Sequence, residues 1–138
     1  MAKGKCIGAI IKNEKREFLV QYRLKIPTGL AMPAGHIEDG EIPEDCLMRE
    51  ILEETGLTIK SHRPLIEDKY YPNPCPKSHD GHDWWVYEVV AEGEPVLREP
   101  DKHKFLRFMP LKEIRGYIKR GETDPAWFKY ILPELGII

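Results

Sequence analysis

Short apolar runs alternate with stretches of helical periodicity along this 138-residue chain, and the two patterns predict different elements. Apolar runs predict strands at residues 6–11, 18–22, 30–32, 58–66, 84–90 and 105–109. Helical spacing predicts helices at residues 43–55, 111–120 and 125–132. Interleaving of this kind favours an α/β fold around a mixed β-sheet, formed as a single domain over residues 1–138.

The predicted helix at residues 43–55 carries its carboxylates on one face. At about 100° per residue, Glu50, Glu53 and Glu54 lie together, with Cys46 one turn earlier. The side chains that fall away from them, and that we expect in the core, are Met48, Ile51, Leu52 and Thr55. Like charges at this spacing cost about 0.2–0.5 kcal/mol per pair, so a balancing cation is expected. Carboxylate oxygens at this density suit Mg²⁺ or Mn²⁺.

Residues 35–57 read GHIEDGEIPEDCLMREILEETGL, and this segment resembles the Nudix box. Its defining positions are all filled, by Gly35, Glu41, Arg49, Glu50, Ile51, Glu53, Glu54, Gly56 and Leu57. The flanking segments LAMPAG (residues 30–35) and FLRFMPL (residues 105–111) are also similar to that family. The resemblance implies an α/β/α sandwich around a mixed β-sheet. It also implies an enzyme that uses water and Mg²⁺ or Mn²⁺ to cut a pyrophosphate bond.

The resemblance further assigns roles to the charged residues of this segment. Glu53 and Glu54 resemble the principal metal ligands. Glu50 resembles a further ligand or the group that helps to activate water, and Glu41 resembles an outer acidic ligand reached through water. The predicted catalytic residues are therefore Glu50, Arg49 and Glu53. The general base is either Glu50 or a residue of a later loop, because the base differs between members of this family.

The same resemblance gives positioning roles to Arg49, Ala34 and two glycines. Arg49 would orient a glutamate through charge-assisted hydrogen bonds. Ala34, just before the box, would offer its backbone carbonyl to the metal. Gly35 and Gly56 would supply backbone shapes that a side chain would obstruct.

Residues 71–83 are rich in proline, histidine and glycine and predict a loop. Cys75, His79 and His82 have a spacing at which a zinc site is conceivable, with a nearby aspartate as fourth ligand. Paired Cys-x2-Cys spacing is missing, so a substrate-facing loop is the favoured interpretation. In that interpretation His79 or His82 binds phosphate or transfers a proton.

Aromatic residues offer candidates for stacking on a nucleobase. Strand alternation directs Trp85 and Tyr87 to one face and Trp84 to the other. Most such side chains belong to the core. The candidates for substrate binding are Trp85, Tyr22 and Tyr71.

Composition and charge limit the kinds of binding partner that we expect. The formal net charge of −2 gives no global basic field, so we expect no stable nucleic-acid partner. No segment approaches the ~20 apolar residues of a membrane span, and the N-terminus lacks a signal-peptide pattern. The 3 cysteines lie far apart, which indicates reduced thiols and a cytoplasmic location. A homodimer is compatible with these observations.

We therefore expect a pyrophosphohydrolase acting on a small nucleotide, with a nucleoside triphosphate or modified nucleotide as first choice. The second choice is ADP-ribose or another nucleoside diphosphate conjugate, because Pro72 occupies a position typical of such enzymes. A nucleotide-sensing module that does not cut its ligand is a rival, although the retained carboxylates favour catalysis. A zinc-stabilised interaction domain is a further rival. Glu99 or Asp101 could add a late metal ligand, with a solvated turn as the default.

Overall fold

The computed structural model describes residues 4–73 and 81–138, and seven strands within these ranges form two sheets. The strands are β1 (Gly4–Ile11), β2 (Phe18–Arg23), β3 (Gly29–Ala31), β4 (Ala34–His36), β5 (Thr58–Tyr71), β6 (His82–Glu92) and β7 (His103–Met109). The helices are α1 (Pro43–Thr55), α2 (Leu111–Lys119) and a C-terminal helix. That last helix begins with the π-helical Ala126–Ile131 and continues as Leu132–Glu134.

The larger sheet is mixed, as predicted, and has the order β4-β1-β6-β5. Its two central strands, β1 and β6, run parallel with Cys6 opposite Trp84, while β4 and β5 pair antiparallel at the edges. The smaller sheet has the order β3-β2-β7 and is entirely antiparallel.

Helices cover both faces of the mixed sheet, which confirms the expected α/β/α sandwich. Alternation along β1 divides the core, because successive side chains point to opposite faces. Ile7 belongs to a buried cluster that contains Leu47 and Ile51 of α1. Cys6 belongs to the other cluster, which contains Trp127 of the C-terminal helix.

Helix α1 has the predicted limits. Pro43 occupies its first turn, where a missing N–H is tolerated. Gly56 ends it in the left-handed conformation, with φ of 73°, and donates its N–H to the Leu52 carbonyl at 3.0 Å. No helix within the described ranges has the length and apolarity needed to cross a membrane.

The predicted core face of α1 was partly wrong. Met48 and Leu52 are 43% and 52% exposed, whereas Cys46 is fully buried. The sheet covers only a narrow stripe of the helix, which Cys46 shares with Leu47 and Ile51. Helical periodicity alone does not give the width of that stripe.

Several strand limits also differ from the predictions, and one strand was not predicted. Strand β5 continues past residue 66 to Tyr71, because β6 pairs along it and register shifts absorb irregular positions. Strand β6 begins at His82 rather than residue 84, so His82 is not a loop residue. Strand β4 has no apolar pattern and depends on pairing with β1, where Cys6 faces His36.

Candidate functional site

A cavity of about 370 Å³ lies where α1, both sheets and the C-terminal helix approach one another. Its volume falls within the range of about 300–1,000 Å³ that small-molecule sites occupy. Carboxylates, cations, aromatic rings and a group of sulfur and imidazole side chains all line it. The residues that line the cavity include Cys6, Arg23, Lys25, Ala34, His36, Arg49, Glu50, Glu54, His82, Trp84, Glu99, Lys102, His103, Asp124 and Trp127.

Gly35 leaves the space that Glu50 occupies. A Cβ atom built on Gly35 would overlap the carboxyl group of Glu50, so any side chain there would displace that glutamate. Burial raises the pKa of Glu50, and its Oε1 accepts a hydrogen bond from Arg49 Nη1 at 2.9 Å. Gly35 of β4 therefore leaves the room in which the carboxylate of Glu50, on α1, is positioned.

Arg49 is the cation that the acidic face of α1 requires. Its Nε and Nη2 donate to the two carboxylate oxygens of Glu41, each at 2.8 Å, in a bidentate pair. Its Nη1 also lies 3.4 Å from Glu53 Oε2. Hydrogen bonding from Arg49 lowers the pKa of Glu41 to about 2. Part of the repulsion expected on this face is thus offset within the protein.

Glu54 is partly buried, and one of its carboxylate oxygens is shielded from solvent. Burial raises its pKa well above the ordinary value, and the neighbouring charges of Glu50 and Glu99 raise it further. A hydrogen bond from the Ala34 backbone acts in the opposite direction. Glu54 Oε1 is buried and has no hydrogen-bond partner within residues 4–73 and 81–138. A buried oxygen without a partner is costly, and a hard cation would satisfy it.

The other two predicted acidic ligands lie outside the cavity lining. Glu53 is exposed, with 56% of its side chain accessible, and its described contact is with Arg49. Glu41 is held by the same arginine. Glu54, Glu50 and Ala34 do line the cavity.

Glu99 is a cavity residue that the sequence left unresolved. It lies in the segment before β7 and forms an ion pair with Lys102, whose Nζ is 3.0 Å from Glu99 Oε2. Asp101, the alternative, is not among the lining residues. The only sequence signal was an acidic residue ahead of a strand, because no motif covers this segment.

Asp124 and Arg23 were missed altogether by sequence reasoning. Asp124 is 7% exposed and accepts a hydrogen bond from the Ala126 N–H at 2.9 Å, and Arg23 Nε lies 3.9 Å from its Oδ2. Burial raises the pKa of Asp124. The two residues lie about a hundred positions apart in the chain and fit no local motif, so only the fold brings them together.

Among the described residues, His82 is the one predicted substrate-binding residue that lines the cavity. Burial lowers the pKa of His82, and its Nδ1 lies 2.7 Å from the Asn73 carbonyl oxygen. His79 and Cys75 lie outside the described residues.

The three predicted aromatic contacts do not line the cavity among the described residues. Tyr22 donates its hydroxyl to Glu122 Oε1 at 2.9 Å. Tyr71 is buried and stacks on Tyr130. Trp85 packs with the α1 cluster on the opposite face of the mixed sheet, as alternation predicted.

Comparison with known proteins gives concordant matches. The NUDIX domain family matches residues 2–131. The 8-oxo-dGTP diphosphatase of Escherichia coli is 32% identical over 114 residues, covering 80% of this chain and 85% of that enzyme. The RNA pyrophosphohydrolase of a Nitratiruptor species is 27% identical over 115 residues, covering 76% and 74%. The solved MutT Nudix hydrolase of Burkholderia pseudomallei shares the fold, with a TM-score of 0.70, 24% identity and coverage of 81% and 86%.

Proposed function

The chain belongs to the Nudix hydrolase family, and on that basis we propose that it is a magnesium-dependent pyrophosphohydrolase of a nucleoside triphosphate or modified nucleotide. The observation that carries this proposal is Glu54 Oε1, a buried carboxylate oxygen without a partner in its described surroundings. It lies in a cavity that also holds Glu50 and Glu99. Three carboxylates converging in one cavity match the oxygen ligands that Mg²⁺ and Mn²⁺ prefer.

Glu54, Glu50 and Glu99 would hold the metal, together with the backbone carbonyl of Ala34. Glu53 remains a predicted ligand at the rim. When bound, Mg²⁺ or Mn²⁺ would neutralise phosphate charge and favour the ionisation of water. Glu50 would accept the proton of the attacking water, because it lines the cavity beside Glu54 and burial raises its pKa, which makes it a stronger base.

Cations in the cavity match a substrate with several phosphates. Arg23, Lys25 and Lys102 line it, and none of the three belongs to the Nudix box. Asp124 offers a carboxyl group that could bind the organic part of the substrate. The similarity to an 8-oxo-dGTP diphosphatase over most of both chains also supports a nucleoside triphosphate as substrate.

A panel of substrates with Mg²⁺ tests the proposal. It contains the ordinary nucleoside triphosphates, 8-oxo-dGTP, a 5′-triphosphorylated RNA, ADP-ribose and a simple phosphate monoester. Phosphate and pyrophosphate release are measured for each, and chelator is added in parallel reactions. We expect turnover of at least one nucleoside triphosphate, no turnover in chelator and little with the monoester.

Three outcomes of the panel would contradict the proposal. Turnover confined to ADP-ribose would identify a nucleoside diphosphate conjugate hydrolase. Tight nucleotide binding without cleavage would identify a sensing module. Full activity in excess chelator would remove the metal from the reaction.

A further inference from the structure

Three side chains with soft ligand atoms converge beside the carboxylates. Cys6 of β1, His36 of β4 and His82 of β6 each offer one ligand atom, and these atoms all lie within 4.8 Å of one another. Strand pairing brings them together, because Cys6 faces His36 directly and Gly4, opposite His82, adds no competing side chain. The three residues come from three different strands, so no local sequence motif contains them.

Burial and access both suit a bound ion. Cys6 and His82 are 5% and 2% exposed, and His36 is partly buried. All three also line the cavity, so an ion can reach them from solvent. A site that is enclosed yet open on one side combines tight ligation with an entry path.

The tautomer of His82 is fixed in the way that metal-binding histidines require. Its Nδ1 lies 2.7 Å from the Asn73 carbonyl oxygen. A carbonyl oxygen only accepts, so the proton resides on Nδ1 and the lone pair on Nε2. Donation of the second ring nitrogen to a backbone carbonyl is the usual outer contact of a metal-ligating histidine.

We propose that Cys6, His36 and His82 form a Zn²⁺-binding site separate from the carboxylate site. One sulfur and two imidazole nitrogens favour Zn²⁺ over Mg²⁺, which takes oxygen ligands. Tetrahedral zinc places such atoms about 3.6 Å apart, so the ligand atoms, now within 4.8 Å of one another, would have to draw closer on binding. Zinc replaces the thiol proton of Cys6, which is released to solvent, and no atom changes oxidation state.

This site differs from the zinc site considered for residues 75–82, because it shares only His82 with that set. It ties β1, β4 and β6 together, so zinc should raise the melting temperature of the protein. Neither zinc binding nor the rise in melting temperature requires that the proposed hydrolysis occur.

The first experiment uses reduced, chelator-treated full-length protein. Zn²⁺ titration by calorimetry should give one equivalent bound that excess Mg²⁺ does not displace, with a rise in melting temperature. Co²⁺ in place of Zn²⁺ should give a thiolate-to-cobalt charge-transfer band together with the visible bands of a tetrahedral ion. Binding without a thiolate band would overturn the proposal.

Matched variants identify the ligands. Cys6→Ala and His36→Gln should each weaken Zn²⁺ binding by about tenfold or more, and Cys6→Ala should abolish the thiolate band. The controls Cys46→Ala, whose thiol meets the His36 carbonyl rather than its ring, and His62→Gln should retain both signals. If Cys6→Ala does not fold, the partly buried His36 provides the decisive variant.

Two further variants separate this site from its alternatives. Glu54→Gln should keep the thiolate–cobalt band, since that residue belongs to the carboxylate site. A band that survives Cys6→Ala but disappears in Cys75→Ala would overturn the assignment of Cys6. Loss of hydrolysis with zinc binding intact would count against the proposed function alone.

Discussion

At the scale of single residues, two acidic side chains with shielded carboxyl groups distinguish the cavity. Glu54 and Asp124 both have a raised pKa, and burial is the main cause for each. Their surroundings differ, because Glu54 lies beside two further carboxylates whereas Asp124 lies near Arg23. An acid cluster attracts a cation, whereas the nearby Arg23 guanidinium partly offsets the effect of burial on Asp124.

Glu54→Gln should lower turnover by about a hundredfold or more, because the variant replaces a predicted metal ligand with a neutral amide of the same shape. The fold should survive, since relief of repulsion with Glu50 compensates for the lost hydrogen bonds. Steady-state kinetics and melting temperature are the measurements. The exposed Glu44, also on α1, supplies the control Glu44→Gln, which should leave both unchanged. Parent-like turnover in Glu54→Gln would remove this residue from the metal site.

Asp124→Asn should remove a pH dependence of stability. The folded pKa of Asp124 is raised, so its contribution to stability is fully present below the unfolded value of about 3.9. That contribution is lost as pH rises through the folded pKa. Asparagine keeps the oxygen that accepts from Ala126 but does not ionise. The stability difference between variant and parent, from denaturant unfolding at several pH values, should therefore grow in favour of the variant with rising pH. A difference that is constant with pH would contradict the burial argument.

Helix α1 and strand β4 act as a unit at the scale of elements. The helix presents Glu50 and Glu54 to the cavity, and the strand approaches closely enough that Glu50 lies where a side chain of Gly35 would be. Arg49 reinforces the contact by donating to the His36 carbonyl of β4 at 3.3 Å. The separation of the two elements therefore determines the position of the carboxylates.

Gly35→Ala should reduce turnover sharply and lower stability by about 1–3 kcal/mol, because the added methyl group would displace Glu50 or the strand. A matched control is Gly116→Ala in α2, where the nearest neighbour of the new Cβ is the flexible Arg120 Nη1 at 3.4 Å. That variant should be more stable by about 0.5–1 kcal/mol, because alanine favours helix over glycine. Kinetics and unfolding of the pair are compared. Equal effects in both variants would show that the contact with Glu50 is unimportant.

The cavity belongs to the whole molecule rather than to any one element. Helix α1 supplies the acids, residues around β2 and before β7 supply cations, and the C-terminal helix supplies Trp127. These contributions come from segments far apart in the chain. The arrangement places carboxylates and cations around one volume, which suits a substrate that carries linked phosphates.

Hydrolysis in ¹⁸O-labelled water should place the label on a phosphate product. In the proposed reaction the carboxylate site would orient water towards a phosphorus atom and would give it no route to a sugar carbon. Mass spectrometry of the separated products identifies the labelled atom and the phosphorus attacked. Label on the nucleoside, or good turnover of phosphate monoesters alone, would indicate a different reaction in this cavity.

Local sequence was sufficient to predict most of the helices and strands and to identify the family. Helix α1 and its cap at Gly56 follow from periodicity and local residue choice, whereas the α/β/α architecture was implied by the resemblance to the Nudix family. The three glutamates Glu50, Glu53 and Glu54 could be placed on one helix face for the same reason. The helix, its cap and the common face of the three glutamates depend on residues close together in the chain, so the sequence alone determined them.

Tertiary packing decided which of those residues line the cavity. Glu54 is buried in it while Glu53 remains exposed beside Arg49, although both lie on the predicted acidic face. Packing also brought in Glu99 and Asp124, and it left Leu52 in solvent because the sheet covers only a narrow stripe of α1. Burial and long-range contact depend on how sheets and helices stack, and that information is distributed over the whole chain rather than held in any one segment.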